Sequence, residues 1–163
     1  MGGCGGVKDV AVTRYGVGPL RLDMRAGDVR SLCPEARDTT WPGPEGMTER
    51  GLHVRLAGHP VVVVLTGQTV NRIVVDSAGL RTGAGVGVGS TLAELRGRYG
   101  RMCAGQGEGR IAVWSPAAPG ISFGLDSTAV ATGGNVDAAA LPGTARVDEM
   151  WVRQGTDDCP TGD

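Results

Sequence analysis

The sequence predicts an α+β fold of two tandem helix-plus-antiparallel-sheet repeats, with the helices packed on one side of the sheet. Three observations carry that prediction: an internal repeat, two short amphipathic segments with helix start and stop signals, and several runs of apolar residues spaced by two.

The repeat comes first. Leu22-Asp23-Met24-Arg25-Ala26-Gly27-Asp28-Val29-Arg30 aligns with Val88-Gly89-Ser90-Thr91-Leu92-Ala93-Glu94-Leu95-Arg96 at an offset of 66 residues. Further along, Val70 to Val75 aligns with Val147 to Val152 at an offset of 77, so an insertion of about eleven residues falls around Thr132 to Ala140. The boundaries that follow are a flexible glycine-rich leader over 1–12, a first repeat over 13–82, a second over 83–154 and a polar tail over 155–163.

Each repeat reads as one helix followed by three strands. Thr91 and Glu94 fit a capping box, in which threonine and glutamate side chains satisfy backbone donors that a helix start leaves open. Leu92, Leu95 and Tyr99 then form a stripe on one face, and Gly100 is a stop. In the first repeat Val29, Leu32 and Cys33 give the stripe and Pro34 ends it. Helices this short need a sheet to pack against. The strands alternate: Val54 and Leu56 against His53 and Arg55, Ile111 and Val113 against Ala112 and Trp114, Ile121 and Phe123 against Ser122 and Gly124. The run Val61 to Leu65 lacks alternation and is expected to be covered on both faces.

Composition limits the function classes. At 163 residues a chain buries about 70% of its unfolded surface, enough for a core. A net charge of −1 supplies no field to attract nucleic acid, which disfavours a dedicated nucleic-acid binder. No apolar run approaches the roughly 20 residues of a membrane-spanning helix. Lys8 is the only lysine among the 16 basic residues, an arginine excess that reads either as genomic base composition or as planar recognition of carboxylates and phosphates.

The cysteines bear on compartment. Small residues before Cys4 and a glycine-rich stretch after it resemble a bacterial lipoprotein cleavage site, with Cys4 as the acylated residue; the alternative is a glycine-rich leader with a stray thiol. Among Cys33, Cys103 and Cys159 one disulfide is expected if the protein is exported. Cys33 with Cys103 is favoured, because both close the C-terminal end of a predicted helix. Free thiols in the cytoplasm are the other reading. No C-x-x-C is present and neither His53 nor His59 sits at a ligand spacing, so no metal is expected.

Reactive constellations are scarce. Glycines at 83, 85, 87 and 89 suggest a nucleotide loop, yet neither a dinucleotide fingerprint nor a P-loop lysine accompanies them. His53 and His59 have no G-x-S-x-G elbow beside them, and Asp157, Asp158 and Asp163 read as solvated tail. No catalytic residue and no cofactor is expected. The alternative is a small-ligand protein or hydrolase with a site near His53 or the Gly83–Gly89 stretch.

If the apolar sides of the strands face the helices, His53, Arg55, Arg72, Trp114, Glu149, Trp151 and Arg153 face outward together. Tryptophan and arginine dominate interface energetics, so these seven are the expected contact set for a protein partner. The competing expectation is that the tryptophans are covered by loops such as Pro42-Gly43-Pro44 or the insertion near Gly133.

The short helix opened by Gly89-Ser90-Thr91 with Leu95, followed by antiparallel strands, resembles the small outer-membrane lipoproteins of the barrel-assembly machinery. Two such units in tandem resemble the secreted β-lactamase inhibitor protein. Asp23 and Arg25 stand where the motif has glycine and threonine. The resemblance implies helices on one side of a sheet whose concave face binds a protein. It carries no inhibitory residue across. The resulting expectation is a non-catalytic, protein-binding module of the bacterial cell envelope, either periplasmic or an outer-membrane lipoprotein.

Overall fold

The computed structural model describes residues 4, 10–43, 46–107, 110–129, 136–155, 158 and 159. Most of the leader, Pro44, Thr132 to Asn135 of the expected insertion, and Asp157 and Asp163 of the tail lie outside them.

Three two-residue strands open the chain: β1 (Val12–Thr13), β2 (Gly16–Val17) and β3 (Leu20–Arg21), paired in that order. Helix α1 (Ala26–Leu32) leads into β4 (Arg37–Pro42), β5 (Thr48–Leu56), β6 (His59–Thr66) and β7 (Thr69–Val75). Helix α2 (Leu92–Tyr99) leads into β8 (Cys103–Gly107), β9 (Arg110–Trp114), β10 (Ile121–Leu125) and β11 (Val147–Arg153). Strands β4 to β11 form one antiparallel sheet in the order β4-β5-β6-β7-β11-β10-β9-β8. Its middle seam is β7 against β11, where Met150 pairs with Val75 and Val152 with Ile73.

This overturns the expected fold class. Among the described residues strand accounts for 46% and helix for 14%, with only two short helices, so the protein is mostly antiparallel sheet rather than two helix-plus-sheet repeats packed on a sheet. The lengths give the physical reason. Helices of 7 and 8 residues are about 11 and 12 Å long, whereas eight strands spaced at about 4.8 Å span about 34 Å. Such helices cover a patch and cannot form a layer. Three expected strands in each half also understated the sheet, because β4 and β8, its two edges, carry weak apolar signals.

The helices are held as their sequences suggest. In α2 both halves of the capping box form: Glu94 N–H donates to Thr91 Oγ1 at 3.1 Å and Thr91 N–H to Glu94 Oε1 at 3.4 Å. Gly100 caps the far end at a positive φ of 77°. Arg25 begins α1 with no side-chain cap. There the segment from Asp23, at φ 68°, instead docks on the start of β7: Asp23 N–H donates to Val70 O at 3.0 Å and Val70 N–H to Met24 O at 2.8 Å. Val29 and Cys33, with Leu92 and Leu95, share one core with Leu52, Val54, Val63, Ile73, Val75, Phe123, Met150 and Val152. The run Val61 to Leu65 is buried throughout, its even members in a second cluster on the opposite face.

The cysteines pair differently from expectation. Cys4 bonds Cys33 and Cys103 bonds Cys159, so the expected Cys33–Cys103 bridge is absent. Cys4 is fully buried, and its carbonyl accepts from Ala57 N–H at 3.3 Å, which seats it beneath the β5–β6 turn. Cys33 and Cys103 do follow the two helix ends, but each reaches a chain terminus rather than the other. Sequence spacing could not disclose this.

The Cys103–Cys159 bridge closes a loop of 56 residues, and replacing both cysteines by serine is expected to cost about 4 kcal/mol of stability on loop-closure grounds. Thr91→Ala is expected to cost about 1 kcal/mol through the lost cap. Urea unfolding measures both, the cap variant by its midpoint at unchanged slope and the cysteine variant by midpoint and slope fitted together.

Candidate functional site

The face of the sheet turned away from the helices is built by register. One row of paired residues crosses it from edge to edge: Arg37, His53, Val62, Val74, Trp151, Ser122, Trp114 and Cys103. Directly paired residues project to the same side. A parallel row holds Thr39, Gly51, Val64, Arg72 and Arg153, and another Glu149, Gly124, Ala112 and Gly105. Arg55 pairs with Pro60 two positions along from His53. All seven residues of the expected contact set therefore share one face.

Sharing a face is not the same as being exposed. Trp151 is only 5% exposed and Glu149 8%. The indole N–H of Trp151 donates to Glu149 Oε1, so the carboxylate is engaged by its neighbour two residues further along the strand. The ring lies over Gly124, where a Cβ would come within 2.8 Å of it. Trp114 repeats the device, leaning over Gly105 with a hypothetical Cβ at 3.1 Å. In both cases the glycine is the diagonal cross-strand neighbour, and its missing side chain leaves room for an indole to lie down. Trp114 is also reached by the C-terminal segment: its Nε1–H donates to Asp158 O at 3.4 Å, beside the Cys103–Cys159 bridge. The segment that reaches Trp114 is neither of the two loops expected to cover the tryptophans, and Trp114 stays half-exposed beside it. The loop at Pro42 and Gly43 instead borders Arg72, and Gly133 lies outside the described residues.

The arginines divide into engaged and available. Arg72 Nη1 bridges both oxygens of Glu49, at 2.9 and 3.1 Å, and Nη2 reaches Pro42 O at 3.4 Å. Arg153 Nε donates to Ser122 Oγ at 2.8 Å, and Arg110 pairs with Asp148. Arg55 donates to Gly58 O at 2.9 Å and is exposed. Arg37 is exposed, and among the described residues no carboxylate pairs with it. Sequence reasoning missed Arg37 and the half-buried Trp41, which both sit on the unrecognised edge strand β4. The periodicity of that strand is readable only once it is known to be a strand.

The two alternative sites fare differently. His53 stands half-buried between Arg37 and Val62, and among the described residues no carboxylate is bonded to it. His59 packs its ring against Gly79, where a Cβ would lie 2.4 Å from it. Along the Gly83–Gly89 stretch the donors are consumed internally. Gly85 N–H goes to Thr82 O, Gly87 N–H to Ser90 Oγ and Gly89 N–H to Val147 O. At the start of α2, Leu92 N–H goes to Ala145 O, Ala93 N–H to Gly143 O and Glu94 N–H to Thr91 Oγ1. The first three donors of α2 are thus engaged by the chain itself, where an anion at a helix start would need them free. No group of three or more histidine, cysteine or acidic residues able to hold a metal occurs among the described residues.

Fold and face together define a small, mostly antiparallel-β protein in which two short helices pack on one side of an eight-stranded sheet, beside a small three-stranded one. No family model matches the chain, and no curated protein does. Among solved structures it is similar to the uncharacterized protein yfeY from Escherichia coli, with a TM-score of 0.61 and 15% sequence identity. The match covers 90% of this chain and 100% of that one. At that identity the likeness shows the fold alone. No helix among the described residues is long and apolar enough to cross a membrane.

Because Trp151 is packed rather than displayed, Trp151→Ala is expected to lower stability by about 3 to 5 kcal/mol, the range for a buried aromatic. Gly124→Val is expected to destabilise by lifting the indole from its floor. Denaturation monitored by tryptophan fluorescence measures both, and a loss under 1 kcal/mol in each would contradict the packing described.

Proposed function

We propose that this chain is a non-catalytic protein-binding module of the bacterial cell envelope, and that it contacts its partner through the open sheet face. One observation carries the reading: a broad surface, crossed by an unbroken row of paired residues, offers arginine charge and the half-exposed Trp41 and Trp114, and no helix among the described residues packs over it. Its charge favours an acidic partner. Arg37, Arg55, Arg72, Arg110 and Arg153 stand on this face against Glu49 and Glu149, with Asp148 at its bulge.

The roles within the face are redistributed from those the sequence suggested. Arg37, Arg55, His53 and Trp41 make first contact, since they are exposed or half-exposed on the β4–β5 side. Trp151 and Glu149 stiffen the floor beneath them, and Trp114 is shared with the C-terminal segment. An envelope location is supported by the two disulfides, which persist in oxidising compartments. It does not rest on acylation of Cys4.

The test pairs two exposed face residues with a control on the helix side. Envelope extract is passed over immobilised wild type, Arg37→Glu with Arg55→Glu, and Arg98→Glu on the exposed side of α2. A protein held by wild type and by the α2 variant, but held about tenfold less by the face variant and released by salt, is the expected result. Equal retention on all three, or none on wild type, would contradict the reading.

A further inference from the structure

A cavity of about 420 Å3 lies at the opposite end of the molecule from the β5–β6 turn, where the β1–β2 turn meets the end of β11. Its lining includes Arg14, Tyr15, Arg21, Leu22, Asp23 and Arg153. We propose that this cavity binds the carboxylate of an organic ligand, with Arg14 and Arg21 as the anion-holding pair and Tyr15 with Leu22 as the apolar wall.

Charge is the first argument. Among the described residues Arg14, Arg21 and Arg153 line the cavity with Asp23 as its one carboxylate, and Asp23 is already engaged by Gln154 Nε2 at 2.6 Å. Arg153 is tied to Ser122, but among the described residues neither Arg14 nor Arg21 is paired with a carboxylate. Both guanidinium groups instead stand over the Tyr15 ring, at 5.4 and 6.0 Å from its centre. Two cations held over one ring repel each other, and a shared anion between them would relieve that repulsion.

Exposure is the second. Tyr15 is 59% exposed, one of the large apolar side chains this fold leaves in water, and it sits at the tip of a turn rather than over a core. Leu22 extends the apolar wall. Guanidinium groups beside a ring and an aliphatic side chain match a planar carboxylate carried on an apolar stem.

Construction is the third. The β1–β2 turn is fixed by Tyr15 N–H donating to Thr13 Oγ1 at 3.2 Å and by Leu22 N–H donating to Tyr15 O at 2.9 Å. Gly120, at φ 81°, lets the backbone of Arg14 approach so closely that a Cβ there would lie 3.0 Å from Arg14 O. Gly120 O in turn accepts from Arg153 N–H at 2.9 Å. The segments of Arg14 and Arg153 therefore meet at one glycine, and Arg21 joins them through its pairing with Gly16. This inference does not depend on the reading of the sheet face.

The carboxylate could belong to a free small acid or to a peptide C-terminus, and the titration separates the two. Calorimetry on the intact protein uses three probes: hydrocinnamate, an acetylated Gly-Gly-Phe peptide with a free C-terminus, and the same peptide as its amide. Saturable binding of either acid, about tenfold or more weaker for the amide, is expected. Binding of hydrocinnamate assigns a free acid; binding of the peptide acid alone assigns a chain terminus. Arg14→Gln and Arg21→Gln are expected to weaken the acid about tenfold or more while leaving the urea midpoint in place, and Arg98→Gln, on the exposed side of α2, to leave binding unchanged. Equal binding of acid and amide, insensitivity to both arginine changes, or no saturable binding of any probe would overturn the proposal.

Discussion

The seam between β7 and β11 is the constraint on which the rest depends. Four register pairs, Arg72 with Arg153 through Val75 with Met150, join strands that lie about eighty residues apart in the chain. Without that seam each half would end in an exposed edge built from residues buried on both faces: Ile73, Val74 and Val75 on one side, Met150, Trp151 and Val152 on the other. Unpaired edges of that composition are aggregation templates. The actual edges are instead β4, with a polar exposed pattern, and β8, short and glycine-containing. Joining the halves places the apolar strands inside and the poor ones outside.

Two consequences follow from a single continuous sheet. Its far face becomes wide enough for residues from both halves to lie in one row, which no four-stranded half could present. That face must also be stiffened without a second layer, and here the glycines act. Gly105 and Gly124 let Trp114 and Trp151 lie flat across neighbouring strands, so each indole shields backbone and small side chains beneath it. The disulfides secure the margins, one holding Cys4 under the end of α1 and the other drawing Cys159 to the edge strand β8 beside Trp114.

The buried strands and the second helix were legible in the sequence because their signals are local. Leu92, Leu95, Thr91, Glu94 and Gly100 specify a helix with its two ends, and period-two runs mark β5, β9 and β10. The outward grouping of His53, Arg55, Arg72, Trp114, Glu149, Trp151 and Arg153 followed from alternation alone. What escaped was non-local or weakly apolar. Strand β4 reads Arg-Asp-Thr-Thr-Trp-Pro, which gives an edge its solubility and removes its signature. The dominance of sheet over helix depended on counting those edges. The sequence left Trp151 either displayed or covered, because the ring rests on a glycine of another strand, and a glycine in a sequence announces flexibility, not a floor for a ring. The arginine cavity combines Arg14 and Arg21 with Arg153, more than 130 residues away, and the cysteine pairs depend on where the termini return.

The measurement that tests the single-sheet account most directly is native-state hydrogen exchange read residue by residue. With β7 and β11 as one seam, the amides of Val74, Val75, Met150 and Trp151 are expected to exchange only through global unfolding, with one opening free energy shared by strands of both halves. If the amides of β10 and β11 kept their protection under conditions where β6 and β7 exchanged freely, the halves would be separate folding units. A continuous binding face would then have no physical basis.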